Sequence, residues 1–264
     1  GRHRALEITS DLITVYILQR QKAGAANATI NRELAALKRA FHLAKRARKV
    51  EIIPHIALLK EDNARKGFFE PGDFRAMLAH LPDDLKPVVE VAYVTGWRIR
   101  SELLTRQWSH IDFRAAWLRL EPGETKNGKG RIFPLTSELR AVLEQQLART
   151  RAIERATGQV VPWVFHRNGE PIRAFRRAWL SACTKAGVPG RIPHDLRRSA
   201  VRNLERAGVP RSTAMEMVGH QTESVYRRYA INDETMLREG GEKLAALHQA
   251  EREQSPKVLP LNRS

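Results

Sequence analysis

The sequence predicts a mainly α-helical protein of the α+β class, with one small antiparallel sheet in the larger of two domains. Three observations carry this. Helical periodicity covers the first 60 residues and most of the remaining chain. From Ala116 the apolar pattern turns from helical spacing toward alternation, the mark of strands. A polar, charged stretch interrupts the helical pattern between them and reads as a linker. The expected division of the 264 residues is a helical domain over 1–60, a linker over 61–69, a mixed domain over 70–254 and a disordered tail over 255–264.

Taken in order, residues 8–21 form a first candidate helix and 29–48 a clearer second one. In the second, Ile30, Leu34, Leu37, Phe41 and Ala44 recur at i, i+3/i+4 and i+7 and define a buried stripe. Arg32, Lys38, Arg39, Lys45 and Arg46 fall mostly off that stripe, as a solvated face or a face for a phosphate backbone. In the larger domain, helices are expected over 71–81 and 83–94, with Asp83 as a cap, and on through Gln107 after a break at Thr95-Gly96. Residues 117–120 read as a strand, Asn127-Gly128 as a two-residue hairpin turn, 131–135 as the returning strand and 161–165 as a candidate third. Helices come next over 137–156 and 172–186. Pro193 suits the first position of another, because its missing N–H has no intrahelical partner there. Gly208 and Pro210 mark a helix stop and a new start, and a last amphipathic helix runs from after Asn232 to about Glu253.

The charge narrows the partner. A formal net charge of +17 argues for a polyanion, with nucleic acid ahead of a membrane surface. One cysteine, Cys183, excludes an intramolecular disulfide and fits a reducing interior. No run reaches the roughly 20 apolar residues that span a bilayer, and the charged start at Gly1 has no signal-peptide core. The expected place is the cytoplasm. There is no Walker-type loop and no dense carboxylate cluster of the kind a two-metal nuclease needs, so no cofactor and no metal are expected.

The stretch from Pro193 to Ala230, PHDLRRSAVRNLERAGVPRSTAMEMVGHQTESVYRRYA, concentrates the chemistry. His194 and Arg197 share a helix face, whereas Arg198, turned by about 100°, is expected to point elsewhere. Gly219-His220 comes next, then Tyr229 nine residues after His220. Tyr226 lies one helical turn from Tyr229 on the same face, so helix geometry does not separate the two.

This H-D-L-R, G-H, Tyr order resembles the carboxy-terminal half of the tyrosine recombinases, the phage-integrase family. Upstream, TGWRIRSELLTRQWSHIDF is similar to the family's first arginine box, and TKNGKGRIFPL, around Lys126, to its lysine loop. The resemblance implies a tyrosine recombinase-like fold, with an amino-terminal core-binding domain that clamps DNA and a carboxy-terminal catalytic domain. It implies a site-specific recombinase or integrase of a phage or mobile element that breaks and rejoins strands through a 3′-phosphotyrosine link. The partners implied are double-stranded DNA, three further copies of the chain in a homotetramer, and accessory DNA-bending or directionality proteins. A chain opening at Gly1 is expected to lack an amino-terminal piece such as an arm-binding domain.

The residue types fit that chemistry. Arginine binds phosphate through a planar fork and keeps its charge, which nominates Arg98 and Arg197. A phenol forms a stable phosphodiester once its proton is removed, which nominates Tyr229. Lys126, with Lys129 as rival in the same loop, can protonate the departing 5′-oxygen. His194 and His220 can accept protons or hydrogen-bond the phosphate. The family arginine usually stands three residues before its acidic residue; here Arg98 stands four before Glu102, with Arg100 between them. Arg98 is preferred because it follows Thr-Gly-x and still shares a face with Glu102, the supporting residue. Lys129 and Arg131 join the basic residues of the second helix as candidate DNA contacts. The alternatives are a non-catalytic DNA-binding protein of the same ancestry, a type IB topoisomerase-like enzyme, and a helix-turn-helix regulator that uses its basic helices only to read operators.

Overall fold

The computed structural model describes residues 4–61, 65, 67–125, 128–229 and 234–254. The chain divides into two compact units, Gly1–Arg65 and Lys66–Ser264.

The first unit is built on α1 (Ser10–Lys22) and α2 (Asn27–Arg46). The Thr9 hydroxyl accepts from the Leu12 N–H and caps α1. Ile30, Leu34 and Phe41, the predicted stripe of α2, bury against Ile13, Val50 and Ile56. Arg20 grips Glu33 through two hydrogen bonds of 3.0 and 2.7 Å and ties the helices together. Residues beyond α2 are packed: the Asn31 side chain exchanges two 2.8 Å bonds with the Leu59 backbone. Arg32, Lys38, Arg39, Lys45 and Arg46 are placed along α2, and all five are exposed.

The second unit begins earlier than expected. Residues 67–69, read as linker, are fixed, because Phe69 is buried and its N–H donates to Ser199 Oγ at 2.7 Å. Then come α3 (Pro71–Ala79) and α4 (Lys86–Thr95). Asp83 does not cap α4. Its carboxylate instead pairs with Lys86 Nζ at 2.7 Å, and the helix starts three residues later, where Pro87 suits the first turn. Helix α4 is the centre of the unit and packs against two later helices, α5 (Ser137–Thr157) and α7 (His194–Arg206).

The expected helix through Gln107 is replaced by a single π turn at Ile99–Leu103 and a short 3₁₀ turn at Trp108–His110. The sheet comes after it as β1 (Ile111–Asp112), β2 (Trp117–Leu120) and β3 (Arg131–Pro134), antiparallel in that order, with Leu120 opposite Arg131. That register leaves the ten residues 121–130 between β2 and β3, and Asn127 of the expected two-residue turn lies outside the described residues. Pro122, which has no N–H to give a ladder, helps end β2 early. The third strand is β1, not residues 161–165; Pro162 interrupts those, and they make one isolated bridge, Trp163 to Gln107.

After α5, β4 (His166–Arg167) and β5 (Glu170–Pro171) form a small hairpin, which delays α6 to Arg176–Lys185. The chain closes with α7, α8 (Arg211–Val218), α9 (Glu223–Tyr226) and α10 (Glu234–Gln254). The described side chains of α10, Leu237, Leu244 and Leu247 among them, are exposed. No described helix is long and apolar enough to cross a membrane. The expected tail, residues 255–264, lies outside the described residues.

Candidate active site

Helix α7 organises the site because it is buried along residues 195–202 and has little freedom to move. Pro193 already has helical backbone angles, φ −54° and ψ −28°, so His194 begins the first turn. Arg197 is 2% exposed. Its Nη1 donates to the Gly96 carbonyl at 2.8 Å and its Nε to His220 Nε2 at 3.1 Å. The Gly96 carbonyl is available because Gly96 ends α4 in the left-handed conformation, at φ +67°.

The arginine box is resolved by the π turn. Leu103 and Leu104 bond five residues back, to the carbonyls of Arg98 and Ile99. This wider turn absorbs the extra residue, brings Glu102 beneath Arg98 and turns Arg100 out to an exposed position. Glu102 is 1% exposed and accepts from the Arg98 N–H at 2.8 Å, Arg98 Nη1 at 2.5 Å and Arg131 Nη2 at 2.6 Å. Burial alone raises its pKa, but the Arg98 N–H and the Arg131 and Arg98 charges outweigh that and hold it below the ordinary value.

Arg131 is not a surface arginine. It lies under Gly219, bonded to Glu102 and the Val218 carbonyl, with its guanidinium 5.5 Å from the Trp97 ring centre. Nothing in the alternation of β3 separates an arginine that faces DNA from one that joins three elements. Lys129 is exposed and lines a groove of about 600 Å³ with Arg131, Gly219 and His220. Its loop is held by buried Arg106, which donates to Glu124 at 2.8 Å and to the Arg119 carbonyl. Lys126 and Asn127 lie outside the described residues.

Three guanidinium groups, on Arg98, Arg131 and Arg197, therefore gather around one carboxylate. Burial first, then Arg98, pushes Arg197 down to about 9, which still leaves it charged at neutral pH. Burial, then Arg197, Arg98, Arg131 and His194, pushes His220 down to about 3, so its ring is neutral. Since Nε2 accepts from Arg197, the proton of His220 sits on Nδ1. That Nδ1 and Arg197 Nη2 are both buried and make no hydrogen bond within the protein. Two unsatisfied buried donors cost about 1–3 kcal/mol each, a cost that an anion accepting from them removes.

The two tyrosines separate here. Tyr226, the last residue of α9, is wholly buried with Val201, Ala214 and Val218, and burial and then Glu205 push its phenol above the ordinary value. Tyr229 lies three residues past the helix end, part exposed, with its hydroxyl 2.8 Å from His194 Nε2. His220 is flanked by both rings, at 4.6 Å from Tyr229 and 5.6 Å from Tyr226. His194 is held below its ordinary pKa by partial burial and by Arg197, Arg98 and Arg198. Arg198 does not point away as expected. Its guanidinium lies 5.0 Å from the Tyr229 ring centre and its Nη1 donates to the Arg228 carbonyl at 2.9 Å. A count of 100° per residue gives the direction in which a side chain leaves the helix, not where a long one ends. Among the described residues no group of three His, Cys, Asp or Glu is placed to hold a metal ion.

Two measurements probe this arrangement. Gly219 has φ +80°, and a Cβ there would collide with the Arg131 guanidinium. Gly219→Ala is expected to lose about 2–4 kcal/mol in a urea titration, from left-handed strain and the displaced arginine together. The neutral His220 sets a pH dependence. Its folded pKa of about 3 lies below its ordinary 6.5, so protons favour the unfolded chain between these values. Stability is intact above about pH 6.5 and falls as acid is added, by about 1.4 kcal/mol per pH unit from this group. His220→Gln is expected to flatten the fall in unfolding free energy between pH 6.5 and 5 by that amount, read from urea titrations at each pH.

Comparison with known proteins shows what the whole chain is similar to. The Integrase of Salmonella phage P22 is 29% identical over 223 residues, covering 78% of this chain and 54% of its own length. The chain thus spans about half the length of that relative. A tyrosine recombinase XerC of Staphylococcus haemolyticus is 26% identical over 224 residues, covering 80% of this chain and 72% of its own length. The fold is similar to that of a lambda integrase tetramer bound to a Holliday junction, with a TM-score of 0.68 at 19% identity over 88% of this chain and 67% of that one. Residues 68–236 match the model of the phage integrase family, a span that holds the arginine box, the buried His220 and Tyr229, and the chain belongs to that family.

Proposed function

We propose that this chain is a site-specific DNA recombinase, an integrase that cleaves and rejoins strands through a 3′-phosphotyrosine intermediate. The observation that carries the reading is the Tyr229 hydroxyl, 2.8 Å from the His194 imidazole and beside an arginine cluster with buried donors left over. In the forward step the Tyr229 oxygen attacks phosphorus and its proton passes to His194 Nε2. The P–O5′ bond breaks, and the 5′-oxygen takes a proton from the lysine of the 121–130 loop, Lys126 with Lys129 as rival. Arg98 and Arg197 carry the charge that grows on the non-bridging oxygens, and the Nδ1–H of His220 donates to one of them. Glu102 holds Arg98 in place. In the reverse step a 5′-hydroxyl attacks the phosphotyrosine and Tyr229 leaves with its proton restored. The bond energy is conserved in the link, so the reaction asks for no nucleotide.

The remaining assignments belong to the same proposal. The basic face of α2, in the core-binding domain, contacts the DNA backbone together with the exposed lysine of the catalytic domain's loop. The protein acts as a homotetramer on double-stranded DNA, and α10 docks on a neighbouring copy through the stripe of Leu237, Leu244 and Leu247. Accessory DNA-bending or directionality proteins complete the assembly, which works on the bacterial nucleoid in the cytoplasm. The test is covalent trapping. The protein is incubated in EDTA with a nicked duplex carrying its attachment site and run on a denaturing gel. A protein–DNA adduct is expected; specific binding without an adduct would establish the non-catalytic DNA-binding reading instead.

A further inference from the structure

We infer that Arg198 is a positioning residue for the nucleophile: it holds Tyr229 in line for attack without touching the phosphate. This rests on the proposed phosphotyrosine reaction. Tyr229 has little local structure of its own. Helix α9 is four residues long, and the tyrosine comes after it in a tight turn closed by the Tyr229 N–H to Tyr226 carbonyl bond at 2.8 Å. An attacking oxygen displaced by about 1 Å costs on the order of 10²-fold in rate, so such a residue needs outside support.

Arg198 supplies it twice. Its Nη1 binds the Arg228 carbonyl at 2.9 Å, which fixes the backbone one residue before Tyr229. Its guanidinium also lies over the Tyr229 ring at 5.0 Å, within cation–π range. The His194 bond to the hydroxyl is a third point, so backbone, ring and oxygen are each held from α7. Arg198 is itself 8% exposed and anchored in the most buried stretch of that helix, so the support is rigid. Its neighbour Arg197 turns the other way, to Gly96 and His220. Adjacent arginines thus divide the work: one serves the phosphate side and the other serves the tyrosine.

The experiment separates the nucleophile from phosphate activation. Adduct formation on the nicked duplex is measured in single turnover for wild type, Arg198→Ala and Arg198→Lys. In a Tyr229→Phe background, hydrogen peroxide then replaces the phenol as nucleophile, with and without Arg198→Ala. The inference expects Arg198→Ala to slow adduct formation about 10²-fold with DNA binding unchanged, and peroxide cleavage to be the same with or without it. Arg198→Lys is expected to behave like alanine, because an ammonium cannot lie flat on the ring while it binds Arg228. A parallel fall in peroxide cleavage overturns the inference by placing Arg198 on the phosphate. Wild-type adduct rates in both Arg198 variants overturn it as well. The recombinase reading fails separately, by a wild-type protein that binds its site and forms no adduct.

Discussion

Tyr229→Phe should abolish the covalent adduct while leaving specific DNA binding unchanged. The phenolic oxygen is the atom that joins the strand, and phenylalanine keeps the ring that stacks beside His220 and under Arg198. Tyr226→Phe should keep the adduct. Its hydroxyl is buried in the small core with Val201 and Val218, away from the His194 contact that Tyr229 makes. Its loss should move stability by about 1 kcal/mol, read as a urea midpoint. The denaturing gel discriminates sharply, since one outcome is a band and the other its absence. An adduct in Tyr229→Phe that disappears in Tyr226→Phe would sink the assignment of the nucleophile while keeping the class of reaction.

Arg197→Ala is expected to reduce the rate of adduct formation by about 10³-fold or more, close to ~4 kcal/mol of barrier. Among the described side chains, Arg197 joins the end of α4, through Gly96, to His220, and it still has a buried donor over. Arg197→Lys should not rescue it, because a point charge cannot satisfy the Gly96 carbonyl, His220 and a phosphate oxygen together. DNA affinity should change only a few-fold, since backbone contacts spread over many basic residues dominate it. The measurement is single-turnover cleavage at saturating protein, beside a mobility-shift titration. A proportional loss of affinity and rate would make Arg197 an ordinary DNA contact.

Much of the site is legible from spacing alone. The order of His194, Arg197, Gly219, His220 and Tyr229 is a one-dimensional pattern, and α7 and α8 start and stop where Pro193, Gly208 and Pro210 indicate. The buried stripe of α2 is equally legible, because periodicity reports which face a helix buries. Local structure ceases to be legible where a side chain's partner comes from far along the chain. Spacing makes Arg131 a DNA contact, yet it bonds to Glu102, 29 residues away, and to Val218, 87 residues away. The helical angle of Arg198 sets it aside, yet it lies over a tyrosine 31 positions later in the sequence. The π turn at Ile99–Leu103 belongs to the same class, since it is an irregularity held by Glu102 in its buried setting.

The sequence by itself determined the class of the protein: two units, mainly helical, strongly basic, with the family's residue order in the second. It did so because periodicity, charge and motif spacing are local properties that survive without a fold. The tertiary structure alone decided which tyrosine presents its hydroxyl, that Arg98 and not Arg100 meets Glu102, and that His220 is neutral. Each of these depends on burial and on the sum of nearby charges, and both are set only when distant segments pack together.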